Sequence, residues 1–162
     1  MCVVGPGNEL DELFYTQEDA WFAGGELEAR YWLTDLLGGR LGLDAQLDYV
    51  RARLDDSGNV PRITPMRWGG GLWFDHARVR TRVGFLHHEE QTKTADFEDS
   101  TSGFTTLDAT ASVRVHEGRT PVDLILSGRN LLDAKGRNHV SFNKDDVVLP
   151  GRTVRIGLNL AF

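Results

Sequence analysis

The sequence has no run approaching the roughly eighteen apolar residues that a membrane-crossing helix requires. A helical membrane protein is therefore excluded. A membrane β-barrel is not, because half of each of its strands faces a polar lumen and the average composition, 40% hydrophobic and 26% charged, hides the lipid-facing half. Cysteine is nearly missing: the single Cys2 offers neither a disulfide framework nor metal-ligand spacing. Positive charge is short as well, since 18 Lys and Arg stand against 24 Asp and Glu for a formal charge of -6. With no basic cluster, nucleic acid is not an expected partner. The N-terminal MCVVGPGNELDEL lacks the basic start, long apolar run and small-residue cleavage site of a secretory signal. No nucleophile and base with a supporting residue stand out, and the glycines at 69–71 do not precede a helix as a phosphate loop would. Neither an enzyme nor a cofactor is expected.

What the chain does contain is alternation. Turn punctuation recurs at TDLLGG (34–39), DDSGNVP (55–61), FDHA (74–77), DFEDSTSG (from 96), HEGRTP (116–121) and the long tract 133–151. Between these marks, large apolar residues return every second position, which is the strand signal. Trp21, Leu27, Tyr31 and Leu33 share one face while Glu26, Glu28 and Arg30 share the other. Leu41, Leu43, Leu47 and Tyr49 oppose Asp44 and Asp48, and Trp68, Leu72 and Phe74 oppose Arg67 and Trp73. Val79, Val83 and Phe85 oppose Arg80 and Arg82, and the pattern repeats over 106–115, 122–127 and 153–162. Seven strands of roughly nine to eleven residues follow, the length a tilted membrane strand needs, with a further strand read as ending near Thr16. LDELF and LEARYWL have some amphipathic character, but the second continues the alternation begun upstream and is read as strand.

The expected fold is all-β: an antiparallel up-and-down set of seven to eight transmembrane strands, forming a partial barrel or an open curved sheet. Two features favour lipid over a protein core on the apolar side. Aromatic residues sit near the ends of the apolar faces, at Trp21, Tyr31, Tyr49, Trp68, Phe74 and Phe85, where interfacial girdles belong. The other faces carry charges in mid-strand, which a hydrated lumen accepts and a dry core does not.

Several segments resemble TonB-dependent outer-membrane receptors. FYTQEDAWFAGGELEARYWL carries a Gly-x-Glu-x-Glu pattern at Gly24, Glu26 and Glu28 that opens a barrel strand in that family. DYVRARLDDSGNVPRITPMRWGGGLWF is similar to the hairpin that follows, with its Pro-Arg-Ile-x-Pro turn at 61–65. SGRNLLDAKGRNHVSFNKDDVVLPGRTVRIGLNLAF is similar to the closing segment, with Asn-Leu-Leu-Asp at 130–133 and Leu-Pro-Gly-Arg at 149–152. The resemblance implies a sorting signal at the C-terminal strand, polar-x-Gly-x-x-hydrophobic-x-aromatic, matched by Arg155, Gly157, Leu160 and Phe162 and read by the barrel-assembly machinery. It implies that residues 14–162 are the C-terminal part of a receptor barrel preceded by an irregular segment at 1–13, with plug, energy-coupling box and signal peptide absent. The intact receptor would sit in the Gram-negative outer membrane, contact its lipid, and work with TonB through those missing parts. It would import a scarce ligand: a siderophore, a metal complex or a cobalamin-like molecule. A small autonomous barrel with a structural or adhesive role, and a soluble lipocalin-like binding protein with its apolar faces inward, are the alternatives.

With the C-terminal strand ending at the periplasmic rim, the longer connections near 55–63, 90–103 and 131–150 fall outside the cell. The ligand contacts expected there centre on His87, His88, Glu89 and Glu90, joined by His139 if the loops fold together, since histidine with carboxylate suits transition metals. Asp55, Asp56, Asp145 and Asp146 would attract a cationic ligand.

Overall fold

The computed structural model describes residues 17–56 and 58–161. Cys2, the segment 1–13, the strand expected to end near Thr16, and Phe162 lie outside the described residues. Eight strands run in chain order: β1 (Ala20–Leu36), β2 (Gly39–Leu54), β3 (Gly58–Asn59), β4 (Arg67–Asp75), β5 (Val79–His88), β6 (Phe104–His116), β7 (Val122–Arg129) and β8 (Thr153–Leu160). They form one antiparallel sheet in the order β1-β2-β4-β5-β6-β7-β8, with the short β3 paired to β2. Among the described residues there is no helix, and β1 and β8 do not pair with each other. The sheet is open.

Alternation sets the register, because residues opposite one another across a ladder share a face. Tyr31 lies opposite Leu43, Leu43 opposite Leu72, Leu72 opposite Val83 and Val83 opposite Ala109. Farther along, Ala111 lies opposite Leu126 and Leu126 opposite Ile156. One apolar face thus crosses the whole sheet. The reverse face carries Trp73, Arg82 and Thr110, paired in one row, and Asp44 in the next row opposite Gly71.

The connections differ at the two ends. At one end they are tight. Leu36 pairs with Gly39, leaving a two-residue loop in which Leu37 and Gly38 both have positive φ, 51° and 76°. This left-handed pair matches the twist of the flanking strands. His76 and Val79 exchange backbone hydrogen bonds of 2.8 and 3.2 Å around the Ala77–Arg78 turn, and Arg78 donates to both Glu117 oxygens at 2.8 and 2.9 Å, tying that turn to the next. The neighbouring guanidinium holds the Glu117 carboxyl below its ordinary range. At the other end lie the long connections 55–66, 89–103 and 130–152.

Two expectations are corrected. Strand lengths are not uniform at nine to eleven residues: β1 has 17 and β2 has 16, while β7 and β8 have 8 each. The apolar face of β1 also does not run unbroken to Leu33. The ladder shifts between Trp32 and Thr34, so Leu33 is the extra residue of a bulge and Thr34 takes the place opposite Leu41. A second shift lies between Arg114 and His116.

Candidate functional site

The sheet presents an apolar face, a polar face and a cap of loops, each built differently. The apolar face is open. Tyr31 is 67% exposed, Leu72 52% and Ile156 75%, so no second layer covers the large side chains. This removes the lipocalin-like alternative among the described residues, because that design buries them. Of the aromatic positions, Trp21 and Tyr49 lie toward the long-connection end of β1 and β2, and Tyr31 and Phe74 toward the tight-turn end. Trp68 lies on the row with Leu27 and Leu47, and Phe85 one row inward, its ring edge-on to Trp68 at 5.5 Å.

The polar face is a wall of paired charges bordering a trough of about 840 Å³. Arg82 on β5 reaches across β4 to Asp44 on β2 and donates to both carboxylate oxygens, at 2.7 and 2.5 Å. Glycine makes the crossing possible: a Cβ at Gly84 would sit 2.7 Å from the Arg82 guanidinium, and one at Gly71 3.0 Å from it. Trp73 lies flat in the same way. Its Nε1 donates to the Leu43 carbonyl at 3.0 Å, Gly42 leaves the space beneath its ring, and the Arg30 guanidinium stacks over it at 4.0 Å. Arg67 meets Asp48 at 3.1 Å and Arg114 meets Asp123 at 2.8 Å. Gly42, Gly71 and Gly84 therefore serve large polar side chains that lie on the wall, whereas Gly69 and Gly70 face neighbouring backbone across the ladder.

At the long-connection end, three loops fold into one cap. Gln91 and Thr101 pair through their backbones at 2.9 and 3.2 Å, and the Gln91 amide donates to the Ile63 carbonyl at 2.9 Å. The Asn59 amide donates to the Thr94 carbonyl at 2.9 Å. The Glu98 carboxylate accepts from the Arg62 N–H at 2.8 Å and the Ala95 N–H at 3.0 Å. His139 stands beside it, 2% exposed, with Nδ1 3.0 Å from the Thr101 hydroxyl and Nε2 3.2 Å from Glu98 Oε1. That second contact is close but off the line of a hydrogen bond, so it acts as an electrostatic contact. Burial holds the His139 imidazole below its ordinary titration range, with Glu98 opposing the shift and Lys144 adding to it. The Lys144 ammonium donates to the Asp99 carbonyl at 2.7 Å. The base of the longest loop is stapled: the Asn130 side chain donates to the carbonyls of Ala134 and Pro150 at 2.9 and 3.1 Å, and Asp133 accepts from the Arg152 N–H at 2.8 Å.

Of the histidine and carboxylate set expected to hold a metal, only His87 and Glu89 come together, Nε2 to Oε1 at 3.7 Å. His87 and His88 are consecutive strand residues and point to opposite sides. His87 contacts the Thr105 hydroxyl at 2.8 Å and lies against Trp68, while His88 stacks on Phe104 at 4.3 Å. Glu89 accepts from Trp68 Nε1 at 2.9 Å, Glu90 lies at the strand end beside it, and His139 is committed to Glu98 and Thr101. Among the described residues no group of three or more such side chains is arranged around a cation. Asp145 approaches the buried Lys144 at 3.2 Å. Of the expected sorting signal, Arg155, Gly157 and Leu160 fall on β8. Sequence reasoning missed Glu98, Thr101 and the pairing of Arg82 with Asp44, for which no local signal exists.

No protein-family model matches the chain, and no curated protein matches it. A solved structure does. The chain is similar to "Copper transporter OprC". The superposition has a TM-score of 0.76 at 27% identity and covers 88% of this chain and 24% of OprC, so the chain spans about a quarter of the length of that transporter. The open sheet is thus similar in fold to one stretch of that protein.

Proposed function

We propose that this chain is a wall segment of an outer-membrane receptor of the TonB-dependent type, its apolar face against lipid and its long loops outside the cell, and that the intact protein imports a metal ion or metal complex. The observation that carries this reading is the uncovered apolar face running across seven paired strands, since exposed apolar area of that extent marks a membrane or partner surface and alternating strands are how a β-wall crosses a bilayer. The likeness to a copper transporter favours a metal-containing cargo over a cobalamin-like one and a transporter over an enzyme. The unpaired β1 and β8 favour a piece of a larger barrel over a small autonomous one, because an open edge in lipid leaves backbone groups without partners. In the intact protein the capping loops would meet the cargo first, and energy would arrive through TonB by way of parts beyond this chain.

The test is folding with and without an amphiphile. Sheet circular dichroism should develop in maltoside micelles and not in buffer alone. Recovery of a stable monomer from the aqueous phase without detergent would sink the membrane reading.

A further inference from the structure

On β2 the apolar face runs from Leu41 through Leu43, Ala45 and Leu47 to Tyr49, and then changes character without changing side. Arg51 and Arg53 continue the same row, opposite Ala23 and Trp21 on β1. An arginine on a lipid-facing row would be costly at the bilayer centre and far less so at its edge. Height decides which applies. At about 3.3 Å per residue and a tilt of roughly 45°, Arg51 stands roughly 5 Å and Arg53 roughly 9 Å above Tyr49 along the bilayer normal. The polar layer on each side of the hydrocarbon is roughly 5–7 Å thick. The Arg51 backbone therefore falls within it and the Arg53 backbone roughly 2 Å beyond it, a distance that a long arginine side chain spans by reaching back toward the headgroups.

Their partners point the same way. Six arginines, Arg40, Arg67, Arg78, Arg80, Arg82 and Arg114, meet carboxylates, and of the other strand arginines Arg30 stacks on Trp73 while Arg129 and Arg155 make no ion pair among the described residues. Neither Arg51 nor Arg53 makes an ion pair among the described residues. Arg51 also borders a hollow of about 210 Å³ together with Lys93, Thr64 and Thr92. Glu89 and Glu90 line it too, the former already accepting from Trp68. Asp55 and the backbone of Asp19 meet farther out along the same strands, beyond the height assigned to the polar layer.

We infer that Arg51 and Arg53, flanked by Trp21, Tyr49 and Lys93, form a binding site for the phosphate of an anionic lipid in the leaflet on the loop side. Guanidinium forks match phosphate oxygens two at a time, and the aromatic rings beside them fix the depth at which they meet the headgroup. The site gives a chain of net charge -6 a local attraction for lipid of its own sign. This inference rests on the membrane reading above.

The test uses the whole chain, its partition measured by flotation with vesicles of phosphatidylcholine alone and of phosphatidylcholine mixed with phosphatidylglycerol. At about fivefold per basic residue near an anionic surface, the two arginines should favour the anionic vesicles by roughly twentyfold. The double variant Arg51→Gln, Arg53→Gln should lose that preference while keeping the sheet spectrum in neutral vesicles, and Arg40→Gln at the opposite end should not. Equal partition into both vesicle types overturns the lipid site and leaves the membrane reading standing. A preference that survives in the double variant overturns the assignment to these arginines. Loss of the preference on adding inorganic phosphate, at constant ionic strength, would show a free-anion site and overturn the lipid. Failure to associate with either vesicle type overturns the membrane reading and this site with it.

Discussion

Among the described residues the only buried apolar side chains are Ala52 and Trp73, both in strands, whereas the loops at one end bury five polar ones: Gln91, Thr101, Asn130, His139 and Lys144. The sheet and the cap follow opposite logic. The sheet satisfies its backbone through the ladder and leaves its large side chains uncovered, so its stability depends on what surrounds it. The cap carries its own polar interior, in which Gln91, Thr101, His139 and Lys144 have partners in another loop and Asn130 has them at the two ends of its own, and it depends on those partners being present. A change of medium should therefore act on the sheet, and a change of hydrogen-bonding chemistry on the cap.

That contrast is broken most sharply by placing a charge on the apolar face. Leu72→Arg should destabilise the chain by about 3 kcal/mol in a bilayer, read as a lowered urea midpoint in vesicles, while hydrogen exchange in the cap stays as it was. A change of comparable size in the cap alone would show that the two regions are not separate. His139→Ala comes next. It strips Thr101 and Glu98 of a partner inside a closed space and should weaken the cap by about 2 kcal/mol, seen as faster exchange over 89–103 and 130–152 with the strands unchanged. Acid should reproduce this in part. The folded imidazole titrates below its usual 6.5 because it is buried, so the unfolded cap binds the proton more readily. The His139 contribution is complete above that value and is lost as pH falls through the lower, folded one. Glu98, Lys144 and Asp145 are the charged groups that act on it. Protection in the cap that is flat from neutral to mildly acidic pH would remove His139 as the titrating group. The smallest effect has the opposite sign. Leu37 holds φ at 51° in a turn position that favours asparagine, so Leu37→Asn should raise the stability of the β1–β2 hairpin by about 0.5–1 kcal/mol, measured as slower exchange at that end.

The sheet was legible in the sequence because a strand's side chains alternate, so the face of each residue follows from its position. The same rule splits the His87, His88, Glu89 and Glu90 cluster: His87 and His88 point apart, and only His87 and Glu89, two positions apart, meet. The bulge at Leu33 left no trace because Trp32 and Leu33 are both large and apolar, and the pattern reads on through them. The cap was illegible for another reason. Thr101 and His139 are 38 residues apart and Asn59 and Thr94 are 35 apart, and no period connects such pairs. Glycine was half legible: 69–71 could be set aside as a phosphate loop because no helix follows, but only the path of Arg82 from β5 to Asp44 shows why Gly71 and Gly84 must be small.

The staple at the base of the longest loop also bears on what the chain can tolerate. Asn130 and Asp133 hold the two ends of the 130–152 connection together before the loop begins, so β7 and β8 meet in register whatever lies between. Lengthening a loop already closed at its base costs little, about 0.6 kcal/mol for each doubling. Insertions distal to Ala134 and ahead of Pro150 that spare His139 and Lys144 should therefore leave the ladder intact, and this stretch is where the molecule can accept new sequence with least risk to the rest.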